Sequence, residues 1–205
     1  MNARAMTKPL LVFLFLAVLA LAACEPSAPK PEVAVSGTAL DGAAIGGPFT
    51  LTDKDGRRVS WDQFKGKYRI VYFGFTFCPD ACPLDVGTMI QGFNRFARVH
   101  PDRAAQVQPI FITIDPARDT PAKVGEFTAA FSPRLLGLTG TQAEIDAATK
   151  AFKVYAAKGK DTPGGYLMDH SRQTYLMDRD GRPLVALAID KGPEAVAADL
   201  ALMVK

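Results

Sequence analysis

The run Tyr68-Arg-Ile-Val-Tyr-Phe-Gly-Phe75 constrains this chain more than any other stretch. Its residues are β-branched or aromatic and mostly apolar, so neither face of a strand built from them can be left in water. Such a run reads as a central strand buried on both sides. It passes straight into Thr-Phe-Cys78-Pro-Asp-Ala-Cys82-Pro. From Pro83 onward, Leu84, Met89, Ile90, Phe93 and Phe96 fall at the spacing of a helix that reaches about Val99. In α/β sheets, ligand chemistry gathers at the carboxyl ends of strands. A fold built on this strand therefore delivers two cysteines to the place where chemistry collects.

The remaining pattern supplies the rest of such a sheet. FTLTDKDGRRVSW alternates around Asp55-Gly56, a hairpin signal, and Trp61 to Gly66 reads as one helical turn closed by glycine. Val107 to Ile114 is a second buried strand, followed by the loop Asp115-Pro-Ala-Arg-Asp-Thr-Pro121. Ala122 to Phe131 is helical and Leu135 to Leu138 a short strand. Thr141 with Glu144 three residues on is a capping-box pattern for a helix to Phe152. Two strands flank Arg179-Asp-Gly-Arg182, and Glu194 to Met203 closes the chain as a helix. The fold class expected is α/β: a mixed sheet flanked by helices, with an added N-terminal hairpin.

Ahead of that domain, Arg4 and Lys8 precede fourteen apolar residues, Leu10 to Ala23, which stop at Cys24. A basic start and an apolar stretch too short to span a bilayer read as an export signal. Leu21-Ala-Ala-Cys24 resembles a bacterial lipobox, so residues 1–23 are expected to be a lipoprotein signal peptide and Cys24 the lipidated residue. Residues 24–47 are rich in Pro, Ala and Gly and read as a flexible linker of about 25 Å end to end, with the domain over 48–205. That arrangement places the domain in the bacterial cell envelope, outside the cytoplasmic membrane. Removing residues 1–23 takes two basic and no acidic residues from 24 and 21, leaving a net charge of +1. Nothing in that balance implies a nucleic-acid partner.

With Cys24 assigned to lipid, the domain holds two thiols, Cys78 and Cys82. If Cys78 lies in the loop and Cys82 in the first helical turn, both face a helix N-terminus, which should depress thiol pKa values. Two uses remain open: a reversible Cys78–Cys82 disulfide, which could act as a redox-active pair, or a pair of thiolate ligands. Two thiolates are a poor complete site for zinc and suit copper better, with a neutral imidazole helping to hold Cu(II). His100 follows a helix end among charged residues and reads as a solvated histidine. His170, after Gly164-Gly-Tyr-Leu-Met-Asp, is the better third ligand. Met168 offers a soft axial contact, and Asp169 an outer partner for the imidazole.

Three stretches together, FGFTFCPDACP, DPARDTP and YLMDHS, resemble the Sco (SenC) family in order and spacing from about Pro48 to the C-terminus. The resemblance implies a thioredoxin-like fold that binds one copper ion per chain, Cu(I) or Cu(II), through Cys78, Cys82 and His170. It implies a role in assembling cytochrome c oxidase, by delivering copper to the binuclear copper-A centre or by reducing that centre's cysteines. The partners implied are the copper-A-bearing subunit and another periplasmic copper chaperone or thiol reductase, met from a membrane through the lipid anchor. Asp146 aligns with an acidic position that some members have near the metal. Phe77 departs from the many members with His or another polar residue before the first cysteine. The reading favours a metallochaperone over an enzyme, with a thiol–disulfide oxidoreductase as the alternative.

Overall fold

The computed structural model describes residues 34–163 and 165–205; the expected signal peptide, Cys24 and Gly164 lie outside them. Among the described residues ten strands and five α-helices follow in order. The strands are β1 (Thr38–Ala39), β2 (Thr50–Asp53), β3 (Arg58–Ser60), β4 (Tyr68–Gly74), β5 (Val107–Thr113), β6 (Leu136–Thr139), β7 (Ala156–Thr162), β8 (Gly165–His170), β9 (Thr174–Met177) and β10 (Pro183–Ala186). The helices are α1 (Ala81–Val99), α2 (Pro101–Ala104), α3 (Pro121–Ala129), α4 (Gln142–Ala151) and α5 (Pro193–Met203). Eight strands form one mixed sheet in the order β1-β10-β9-β4-β5-β6-β2-β3. The strands β4, β5 and β6 run parallel, and the other pairings are antiparallel. This is the expected thioredoxin-like mixed sheet flanked by helices, with the β2–β3 hairpin added on its edge.

Every residue of β4 is buried, including Arg69, which is 1% exposed. Alternation sends Tyr72 toward α1, where its hydroxyl meets Asp85, and Phe73 toward Phe152 at the end of α4. Ile70, Val71 and Phe73 are fully buried, each worth about 1.5–3 kcal/mol of transfer free energy. The capping box at Thr141 and Glu144 forms as the sequence predicts.

Two expectations need correction. Residues 34–47 are not all linker. The strand β1 pairs with β10, Val35, Leu40 and Ile45 pack on the core, and the compact unit begins at Ala34. A two-residue strand carries no period to detect; its pairing is supplied by the otherwise open edge of β10. The approach is so close that a Cβ on Gly37 would stand 2.1 Å from the Ala186 carbonyl oxygen.

The segment before His170 is also more than a Gly-rich loop. There β7 and β8 form a separate two-stranded hairpin, with Ala156 paired to His170. Its sequence, with Lys, Gly and Asp in place of β-branched residues, hides the strand signal.

Candidate metal centre

The chain leaves β4 at Gly74 and turns through Phe75–Asp80 into α1. Cys78 lies in that turn and Cys82 in the first helical turn, where the Cys82 backbone N–H donates to Cys78 Sγ at 3.2 Å. The orphan N–H groups of the helix start are thus aimed at the Cys78 sulfur. Both thiols are free, Cys78 half-buried and Cys82 fully buried. Gly74 makes room for them, since a Cβ there would lie 2.7 Å from the Tyr72 ring and 3.1 Å from Cys82 Sγ.

His170 arrives from the end of β8, with its Nε2 3.4 Å from Cys82 Sγ. Its Nδ1 lies 2.7 Å from the Ser171 carbonyl oxygen, which can only accept. Nδ1 therefore carries a proton, which leaves Nε2 as the ring nitrogen facing Cys82, the orientation a metal ligand needs. The ring packs edge-on against Tyr72 and Phe75.

Buried polar side chains hold these parts in register. Asp119, fully buried, accepts from the Thr76 N–H at 3.0 Å, the Thr76 hydroxyl at 2.6 Å and the Thr113 hydroxyl at 2.6 Å. It ties the cysteine loop to the end of β5. Arg118 donates to Asp115 and to the Tyr166 carbonyl while lying 3.6 Å over the Tyr166 ring, and the Tyr166 hydroxyl donates to Asp115 at 2.7 Å. These contacts fasten the β7–β8 hairpin to the Asp115–Asp119 loop that follows β5. After His170, Arg172 grips the buried Asp85 of α1 with two hydrogen bonds, at 2.8 and 2.5 Å, and Tyr72 donates to that carboxylate.

The thiols are not equivalent. Cys78 is lowered from 9.0 to about 5, first by the hydrogen bond from the Cys82 thiol, with burial opposing and the Cys82 and Asp80 N–H groups assisting. Cys82 is pushed up, by its hydrogen bond to Cys78 and then by burial. The helix N-terminus was expected to depress both; it serves Cys78, and sharing one proton raises the other. Between pH 5 and 9 the folded chain holds a Cys78 thiolate where the unfolded chain holds a thiol, so this contribution to stability grows with pH and is lost as pH falls toward 5. Above pH 9 Cys82 reverses the trend, because only the unfolded chain ionises it readily. Alkylation of the reduced chain by iodoacetamide should modify Cys78 with a midpoint near pH 5, leaving Cys82 protected until unfolding. A midpoint near that of a free thiol would contradict the assignment.

The remaining candidates fall elsewhere. Asp169 is exposed, with its carboxylate near Gly159. Neighbours on a strand point to opposite faces, so it cannot orient His170; the Ser171 carbonyl does. Asp146 is exposed on α4, accepts from Gln142 at 2.8 Å, and borders a cleft with Tyr166 and Met168. Met168 packs against the core. His100 ends α1, its ring tilted against Phe96, about 27 Å along the helix from Cys82. Sequence reading missed Asp85, Asp119 and Arg172; the signal available for Asp119 was its place in a Pro-flanked loop directly after a buried parallel strand.

Comparison with known proteins places this arrangement. The SCO1/SenC family model matches residues 37–205. Protein SenC of Rhodobacter capsulatus is 42% identical over 161 residues, covering 78% of this chain and 71% of that protein. A SCO2-like protein of Rickettsia felis is 38% identical over 158 residues, 76% of this chain and 75% of that one. The solved structure of Bradyrhizobium japonicum ScoI with copper bound is similar at a TM-score of 0.70 and 42% identity, covering 78% of this chain and 99% of that chain. On the extent of the family match and the identity to these relatives, the chain belongs to the SCO1/SenC family.

Proposed function

We propose that this chain is a membrane-tethered copper-binding protein that helps assemble the binuclear copper-A centre of cytochrome c oxidase. In this reading Cys78, Cys82 and His170 hold one copper ion as cargo. The observation that carries it is the placement of His170 Nε2 3.4 Å from Cys82 Sγ, with Nδ1 held by the Ser171 carbonyl and Cys78 Sγ at the Cys82 N–H. The donor set fits: two soft sulfurs take Cu(I), and a neutral imidazole extends the site to Cu(II). Among the described residues no three Cys, His, Asp or Glu side chains form a finished metal cluster. Two donor contacts share Cys82, so loading has only to draw Cys78 and His170 inward and displace the Cys82 proton. Release would proceed by exchange of these ligands for the acceptor's thiols, with the half-buried Cys78 exchanging first.

The tether is the lipid proposed at Cys24, which holds the domain in the bacterial cell envelope. Among the described residues no helix is long and apolar enough to cross a membrane. The copper-A-bearing oxidase subunit is the acceptor, and a periplasmic copper chaperone or thiol reductase prepares the chain for the next cycle.

The difference between the two thiols favours a second use of the same pair. A Cys78 thiolate can attack an acceptor disulfide, and Cys82 then attacks the mixed disulfide. The Cys82 proton leaves on a released thiol, two electrons pass to the acceptor, and a Cys78–Cys82 disulfide remains. Anaerobic titration of the reduced chain with copper separates the two uses. One copper per chain is expected, abolished in Cys78→Ser/Cys82→Ser, with a Cu(II) thiolate charge-transfer band. No uptake by a chain whose thiols are free would leave the reductase.

A further inference from the structure

The N-terminal segment is seated in the domain by a built clamp. Asp199 of α5, 1% exposed, accepts from the Ser36 N–H at 2.5 Å and the Gly37 N–H at 3.0 Å. Lys191 donates to the Ser36 carbonyl at 2.7 Å, and Leu40 N–H donates to the Leu184 carbonyl at 3.0 Å. With Gly37 pressed on Ala186, no larger residue could follow this path. A carboxylate so deeply buried and holding two backbone N–H groups fixes where the chain joins the fold.

That place is at one particular end of the sheet. Register carries Thr38 to Ala186, Ala186 to Tyr175, and Tyr175 to Val71. The strand β1 runs antiparallel to β10, and β10 runs in the direction of β4. Going backward from Thr38, the chain therefore heads toward the carboxyl end of β4, where the thiols lie. Ser36 and Gly37 border a cleft of about 310 Å³ with Arg172 and Gln173, which directly follow the His170 segment. The Asp178–Arg182 turn, beside Arg69 and Trp61, marks the opposite end, about 20 Å away along a strand of seven residues.

We infer that the anchored chain presents its Cys78–Cys82–His170 end toward the lipid surface, so that its partner is a membrane protein whose acceptor thiols lie close to the head groups. This rests on the lipid anchor proposed at Cys24. From Cys24 to Ser36 is twelve residue steps, which span at most about 43 Å fully extended and about 20 Å as a coil. With the join at the thiol end, that short tether keeps the site within reach of the surface. The far end stands off by the added length of the sheet.

The native tryptophan makes this measurable. The full lipidated chain would be reconstituted in phosphatidylcholine vesicles carrying a trace of dansyl-labelled phosphatidylethanolamine, and energy transfer from tryptophan recorded. Trp61 is the chain's single tryptophan and reports the far end. The Trp61→Phe/Leu84→Trp variant reports the thiol end, at a side chain 63% exposed in the first turn of α1. Transfer from position 84 should exceed that from Trp61 several-fold. Asp199→Asn and, more mildly, Lys191→Ala should shrink the difference, while copper stoichiometry stays unchanged. Equal transfer, or stronger transfer from Trp61, in vesicle-bound chains overturns this inference alone. A chain that washes off the vesicles overturns the anchor at Cys24 and this inference with it.

Discussion

His170→Ala is expected to lower Cu(II) affinity by well over the 10- to 100-fold, roughly, that loss of an outer partner costs a metal site. The substitution removes the proposed ligand, whose Nε2 already faces Cys82 because the Ser171 carbonyl holds Nδ1. Cu(I), content with two thiolates, should be held with a smaller loss. The Cys78–Cys82 redox couple should move little, because hydrogen bonding within the pair, and only lastly the imidazole, sets Cys78 near 5. Competitive titration of both copper states, with a thiol redox titration alongside, checks this. His100→Ala is the control and should match wild type, since His100 sits at the far end of α1. Unchanged Cu(II) affinity in His170→Ala would remove the imidazole from the site. A collapse of both metal binding and folding would show only that the ring's edge contacts with Tyr72 and Phe75 matter, and those are worth about 1 kcal/mol each.

Asp119→Ala should be strongly destabilising, costing about 3–4 kcal/mol. It leaves the Thr76 N–H, the Thr76 hydroxyl and the buried Thr113 hydroxyl without their common acceptor. Each unmet donor in so dry a place costs about 1–3 kcal/mol, less what rotation of the hydroxyls recovers. Asp119→Asn keeps one acceptor oxygen and should lose roughly half as much. Urea denaturation of the reduced chain measures the cost. Faster alkylation of Cys78 in native buffer measures the loosened loop, since Thr76 stands two residues before it. A loss below about 1 kcal/mol in Asp119→Ala would mean that this carboxylate does not hold the loop.

The extent to which the site was readable depended on the range of each interaction. The strand β4, the helix α1 and the strand β5 announce themselves through local apolar patterns, and the α4 cap through two residues three apart. His170 emerged as a candidate because histidine is so scarce here, with two in the chain. Its orienting partner was misread, since the adjacent Asp169 is a tempting acceptor while strand alternation turns it away. The β7–β8 hairpin escaped notice because contacts to Arg118 and Asp115, distant in sequence, substitute for the β-branched residues a strand usually shows.

By itself, the sequence determined that a strand buried on both faces must end at two cysteines in a turn before a helix. Backbone patterning over a dozen residues is enough for that. Only the tertiary structure decided that His170 meets Cys82 across 88 positions, that Asp85 with Arg172 and Asp119 with Thr76 hold the two halves of the site, and that the N-terminal segment is clamped at the same end. These are single polar contacts between remote segments. They leave no periodic trace in the chain, and they form only when packing brings a buried group within reach of the one partner that can satisfy it.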